Sequence, residues 1–322
     1  MGKERLHYID WAKAIGILLI CVGHFLPSGS MLRIFLYAFH VPIFFTISGI
    51  TVKRAENKSE LCERIVKLFK RIIIPYIVWY TLSNVESILA GYKGVYEFLY
   101  NLLFLSGRAT WNSALWFLPC FFIVSVMANV LLTYIKNKKI IISVGFVMTV
   151  LSVIMYLAGI KDFLFGFNKC MLLSGFYLAG CCWKEIERTI KPSYITVAIF
   201  IVVGMVYSYI NKGAVISILN WNYNNNIVLW LISAYLMVAC FITNCKMLPK
   251  FRYSGLVSGN TMFIMCSHLW FRRFIEIFFS INSVVLGLVI GLSIFTIYFL
   301  FLFILDKFSK NYKSFELLGL KI

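Results

Sequence analysis

Predominantly apolar runs of about seventeen residues or more recur along the whole chain, separated by short polar segments. A run of that length crosses a bilayer as a helix, because lipid offers no partner to backbone N–H and C=O groups and a helix satisfies them internally. The pattern predicts an all-α, polytopic integral membrane protein. Ten-residue segments alternating polar with apolar, the mark of an outer-membrane barrel, are absent. Composition agrees, since 61% of the 322 residues are hydrophobic. The first apolar run lacks a small-residue cleavage site and is followed at once by a second, so it reads as a retained span rather than a signal peptide.

Ten spans are expected, at about 14–27, 31–52, 72–91, 113–135, 140–160, 163–183, 194–211, 226–244, 255–279 and 284–306. The net charge of +18 would suit nucleic acid, but its distribution does not. With the N-terminus inside, the inner segments 1–13, 53–71, 136–139, 184–191, 246–252 and 307–322 hold 23 of the 31 Lys and Arg residues. The others, Arg33, Lys93, Arg108, Lys161, Lys169, Lys212, Arg272 and Arg273, fall in outer loops or near outer helix ends. This bias predicts both termini in the cytoplasm and no nucleic-acid partner. No detachable domain or internal repeat is visible, so one transmembrane domain is expected over 1–322, with the basic loop 53–71 on its inner side. The nine cysteines form no CxxC pair and mostly lie inside apolar runs, where a free thiol behaves as a small hydrophobe.

The first span carries polar groups that lipid cannot satisfy. Lys13 and His24 are eleven residues apart, three helical turns plus about 20°, so they share a face about 16 Å apart along the axis. Asp10 lies within about 60° of the same stripe. His40 and His268 also fall in spans, and His24 and His40 are expected near mid-membrane on neighbouring helices. Ionisable groups in spans are costly and mark functional sites. A histidine hydrogen-bonded to a neighbouring helix fits the stripe equally well. Imidazole suits general-base work near neutral pH. No carboxylate or cysteine stands beside the histidines at ligand spacing, so no metal is expected. Glu276 is placed to pair with Arg272 at i,i+4.

Inner loop 53–71 has Leu61, Ile65, Leu68 and Ile72 at helical spacing, flanked by Arg64, Lys67, Lys70 and Arg71. It reads as an interfacial amphipathic helix, followed by Pro75 in the first turn of span three. Attraction to anionic lipid and a site for a phosphorylated cofactor both fit its charge. The outer stretch Gly107 to Pro119, with Trp111, Asn112 and Trp116, suits interfacial anchoring or a sugar. The Asn-rich loop 220–226 reads as a polar loop with the same ambiguity.

The segment Tyr8-Ile-Asp-Trp-Ala-Lys-Ala-Ile-Gly16 leading to Gly23-His24 resembles the first helix of integral-membrane acyltransferase family 3, nearest its branch related to fucose 4-O-acetylase. The family's basic residue, ten positions and histidine correspond to Lys13 and His24. Phe39-His-Val-Pro-Ile-Phe-Phe-Thr-Ile-Ser-Gly49, Lys70-Arg71-Ile-Ile-Ile-Pro75-Tyr76, Trp116-Phe117-Leu118 and Ser267-His268 follow in the family's order. Two features depart from it. The first basic residue is Lys where many members have Arg, and the paired-arginine motif of the basic loop is only approximate, at Arg64, Lys67 and Lys70.

The resemblance implies an acetyl-CoA-dependent O-acetyltransferase in a bacterial plasma (inner) membrane. Its acceptor would be a hydroxyl of a cell-surface or exported glycan, or of a lipid-linked sugar. It implies a catalytic set of His24, Lys13, Asp10 and His268. Arg64, Lys67, Lys70 and Arg71 would bind the coenzyme, and His40, Ser48, Asn112 and Trp116 would bind substrate. Membrane lipids and polysaccharide-assembly proteins are the remaining partners implied. Direct transfer and an acetyl-histidine relay would use the same residues. Two readings from other classes stay open on residues alone: a transporter or flippase for a lipid-linked sugar or small anion, and a scaffold in an exopolysaccharide complex.

Overall fold

The computed structural model describes residues 6–91, 94–104, 109, 111–161, 164–308 and 317–320. Of the residues named above, Lys93, Gly107 and Arg108 lie outside this set. The chain is about 79% helical and has no strand among the described residues. Each of the ten apolar segments is helical. Seven helical stretches are long and apolar enough to cross a membrane, or eight if a pair bent by 108°, Trp183–Thr189 with Tyr194–Ile210, is one span. Two expected spans fall short of that measure. The sixth is the 15-residue helix Phe167–Cys181. The ninth breaks at Asn260 into Arg252–Gly259 and Thr261–Phe278, the latter carrying Arg272, Arg273 and Glu276.

The first helix, α1 (His7–Phe25), is unbroken, so the stripe of Asp10, Lys13 and His24 runs along one rod. His24 falls in its last turn, not at its middle. The second expected span is two helices, α2 (Met31–Tyr37) and α3 (His40–Thr51). Pro42 explains the break: it has no N–H to offer the carbonyl of Ala38, and its ring crowds that carbonyl. The interruption turns Tyr37 and His40 toward one another, ring centroids 4.6 Å apart. Trp230 Nε1 donates to the Tyr37 carbonyl at 3.5 Å.

The basic loop is helical, as its periodicity predicts, but it is not a separate interfacial element. Helix α4 (Lys58–Leu68), capped by the Asn57 side chain, runs through a π-turn at Phe69–Ile73 directly into α5 (Ile74–Leu89). Pro75 lies in the first turn of α5, where the preceding wider turn relieves the clash a proline makes inside a regular helix. Helix α6 (Val95–Leu103) follows. Then come α7 (Phe117–Tyr134), α8 (Lys138–Leu157), α9 (Phe167–Cys181), α10 (Trp183–Thr189), α11 (Tyr194–Ile210), α12 (Ile227–Asn244), α13 (Arg252–Gly259), α14 (Thr261–Phe278) and α15 (Val284–Phe308).

Two apolar cores form, and α1 belongs to both. Ile9, Ala12, Val22 and Leu26 face a core built with α3, α7, α9 and α12. Ala14, Ile17, Ile20, Cys21 and Phe25 face a second core with α5, α14 and α15. In lipid, helices associate through close packing rather than through hydrophobicity, and small residues let backbones approach. Gly287 and Gly291, four apart on α15, supply this against α1. A Cβ on Gly287 would meet the Phe25 carbonyl oxygen at 2.5 Å, and one on Gly291 would meet Val22 Cα at 2.9 Å. Gly49 and Gly180 do the same between α3 and α9. Gly287→Leu is therefore expected to destabilise the protein by about 2–3 kcal/mol, read as a lowered midpoint of thermal unfolding in detergent. An unchanged midpoint would mean that α15 does not fix α1.

Candidate active site

The end of α1, the α2–α3 break and α14 converge on His24. Its ring lies 4.9 Å from that of His268 and 5.9 Å from that of Tyr37, centroid to centroid. His24 Nδ1 is 3.3 Å from the Tyr37 hydroxyl. Arg33 Nη2 donates to the same hydroxyl at 3.2 Å, and its Nη1 donates to the Leu26 carbonyl at 2.8 Å and to Ser28 Oγ at 3.1 Å. On the other side, Arg272 Nη1 donates to the His24 carbonyl at 2.6 Å. The expected pairing of Arg272 with Glu276 is present, at 2.8 Å.

The two neighbouring histidines are fixed by their own helices. His40 Nδ1 lies 2.7 Å from the Leu36 carbonyl and His268 Nδ1 lies 3.1 Å from the Ile264 carbonyl. A carbonyl only accepts, so each ring carries its proton on Nδ1 and presents a bare Nε2. His268 is fully buried and its Nε2 has no partner in the structure. Buried polar atoms are normally bonded, so a water or a bound group is the natural partner of this one.

Two cavities lie near this cluster, named inner and outer after the orientation expected from the charge bias. The inner one, about 640 Å³, is lined on its polar side by Lys13, Ser48, Arg64, Lys67, Lys70 and Arg71. It reaches inward to Ile20 and Met265, each about one helical turn short of His24 and His268 respectively. The outer one, about 490 Å³, begins at Phe25 and Leu26 and is bounded by Ser28, Arg33, Arg272, Glu276 and Asn282. His24 thus stands between a basic inner cavity and a polar outer one.

The residues singled out from the sequence fall into three groups. His24, His40 and His268 come together. Lys13, Ser48, Arg64, Lys67, Lys70 and Arg71 line the inner cavity, although Arg64 is tied to Glu60 at 2.5 Å and to the carbonyls of Lys53 and Arg54. Lys67 lies 3.5 Å from Glu63. Asp10 is buried at the inner end of α1, away from the histidines. Asn112 and Trp116 line neither cavity. Asn112 is fully buried and joins the chain before α7 to α14, donating to the Cys266 carbonyl at 2.8 Å and to Ser83 Oγ at 3.3 Å. Trp111 packs edge-on against Trp270 at 4.5 Å and under Arg273 at 4.4 Å. Tyr37 and Arg33 are the site groups that residue reading missed. Their i,i+4 spacing just before the Phe-His-x-Pro segment was the available signal.

No group of three or more His, Cys, Asp or Glu that could hold a metal ion occurs among the described residues. No curated protein matches the chain, and no solved structure does. A family model described as an acyltransferase domain matches residues 6–305. That range spans α1 to α14 and most of α15, and so takes in the three clustered histidines and the basic wall of the inner cavity. The chain belongs to membrane acyltransferase family 3.

Proposed function

We propose that this acyltransferase is an O-acetyltransferase that takes its acetyl group from cytoplasmic acetyl-CoA and gives it to a hydroxyl of a cell-surface or exported glycan, or of its lipid-linked precursor. The observation that carries this reading is the position of His24 between two cavities of different chemistry. The inner cavity offers Lys13, Lys67, Lys70 and Arg71 to a polyanion, and clustered cations suit the phosphates of a coenzyme. The outer cavity offers serine, asparagine and arginine groups to a polar acceptor.

In the proposed reaction the thioester reaches from the inner cavity past Ile20, and the acceptor hydroxyl reaches His24 from the outer one. His24 takes the hydroxyl proton as the oxygen attacks the thioester carbonyl. The C–S bond breaks, the acetyl group stays on the acceptor oxygen, and the leaving thiolate receives the proton from His24. His268, whose ring lies 4.9 Å from that of His24 and whose Nε2 has no partner, suits a hydrogen bond from a substrate hydroxyl. An acetyl-histidine relay would divide the same transfer into two steps. The positive-inside bias supports ten spans with both termini cytoplasmic, and thus a basic cavity that opens to the cytoplasm; the resemblance implies that the membrane is a bacterial inner one.

The test is release of coenzyme thiol from acetyl-CoA by detergent-purified protein, with and without methyl glycosides as acceptors, together with calorimetric binding of acetyl-CoA. Expected are acceptor-stimulated thiol release and binding that weakens between low and high salt, as screened charge pairs do. Folded protein that neither binds nor consumes acetyl-CoA would overturn the donor assignment.

A further inference from the structure

A general-base histidine needs its ring held and its proton placed on the nitrogen away from the reacting hydroxyl. Carboxylates commonly do this. Among the described residues, no carboxylate hydrogen-bonds to His24. The group at Nδ1 is the Tyr37 hydroxyl. We infer that Tyr37 is the positioning residue for His24, accepting the Nδ1 proton so that Nε2 is bare toward the reacting hydroxyl. The inference rests on the reading of His24 as the base.

Three features make Tyr37 suited to this task. First, its hydroxyl is anchored. Arg33 can only donate, so it takes one lone pair of the Tyr37 oxygen and leaves another for an imidazole N–H. Arg33 is itself fixed to the Leu26 carbonyl and to Ser28. Second, its ring is anchored. It lies against His40 at 4.6 Å, and Arg33 sits over its face at 4.9 Å from the centroid. Third, its backbone is anchored at the break that Pro42 imposes, with its carbonyl taken by Trp230. A residue fixed at hydroxyl, ring and backbone can hold a neighbour to the few tenths of an ångström that proton transfer demands. The 3.3 Å separation is long for an N–H···O bond, and such contacts tighten when substrates fill the site.

The Arg33–Tyr37 couple also links the outer cavity to the base. Arg33 lines that cavity and touches His24 only through Tyr37. The other groups that face His24 are His268 from α14 and Arg272 through its bond to the His24 carbonyl, while His40 from α3 lies against Tyr37.

The chain has four histidines, His7, His24, His40 and His268, so nitrogen-15 NMR of imidazole-labelled protein resolves the question without any substrate. The His24 signals are assigned by their loss in His24→Ala. Expected in the unaltered protein is a protonated Nδ1 and a bare Nε2. Expected in Tyr37→Phe, which keeps the ring and loses the hydroxyl, is a shift toward protonated Nε2. Thiol release from acetyl-CoA, with methyl fucoside as acceptor, should show a kcat lowered about 10- to 100-fold in Tyr37→Phe, in line with groups that orient a functional histidine elsewhere. The KM for acetyl-CoA should not move. Arg33→Ala should follow in the same direction, and Arg33→Lys should keep a larger share of the rate. A protonated Nε2 in the unaltered protein, or a spectrum unmoved by Tyr37→Phe, overturns the inference. Full activity in His24→Ala would instead overturn the base assignment, while the spectra would still judge the contact.

Discussion

His24→Ala is expected to lower the rate of acetyl transfer by about 100- to 10,000-fold, the range for loss of a positioned general base, while the affinity for acetyl-CoA stays within about twofold of its starting value, well inside the worth of one charged contact. The two halves of this result have separate causes. His24 is one helical turn beyond the last α1 residue lining the inner cavity, Ile20, so it contributes nothing to the cavity wall that would hold the coenzyme. Its surroundings also tolerate the change. The Arg272 bond goes to the His24 carbonyl, which alanine keeps, and His40 and His268 are tied to carbonyls of their own helices. Steady-state thiol release and calorimetry on the same preparation check both halves. Full activity would sink the proposed chemistry, and lost coenzyme binding would mean that His24 is a structural residue.

The second large effect is expected on the inner side. Arg71→Ala and Lys70→Ala should each weaken acetyl-CoA binding about tenfold or more, since a charge-assisted hydrogen bond is worth about 1.5–3 kcal/mol. The loss should fade at high salt, where the remaining cations are screened from the phosphates. Arg64→Ala should behave differently. Arg64 is held by Glu60 and by the carbonyls of Lys53 and Arg54, so its loss should appear first as a lowered unfolding midpoint. Calorimetric titrations at two ionic strengths distinguish these outcomes. Equal salt-independent losses in all three variants would remove the basic wall as a phosphate site.

Much of this arrangement is legible in the sequence, because a membrane helix is read by run length and a polar stripe by spacing. Asp10, Lys13 and His24 share a rod as their intervals require. The basic segment also reads correctly as a helix, from the recurrence of Leu61, Ile65 and Leu68. What spacing cannot supply is where a rod ends or bends. The span expected from 31 to 52 hides the break at Ala38 and Phe39, although Pro42 announces it. Taking the helix as straight places His40 at mid-span and leaves Tyr37 out of the site. The π-turn at Phe69–Ile73 has only a fainter sign, Pro75 just beyond it, since the apolar and basic residues there keep a helical rhythm. Asn112 illustrates a different limit. An amide among tryptophans suggests a sugar contact, and nothing local shows that its nitrogen bonds the Cys266 carbonyl and Ser83, far away in sequence. The pairing of Arg272 with His24 was equally beyond local reading, because it joins residues 248 apart.

That last distance bears on how the protein is made. The helix that takes part in both cores, α1, leaves the ribosome well before the α14 residues that meet it. At about 5–20 residues per second, 248 residues correspond to roughly 12–50 s of synthesis. Throughout that interval His24 lacks its α14 neighbours, His268 and Arg272. The contacts of His24 with His268 and Arg272 therefore form only after α14 has been made. Over the same delay α1 must keep its polar stripe out of lipid without α14, a task that suits escort by the insertion machinery.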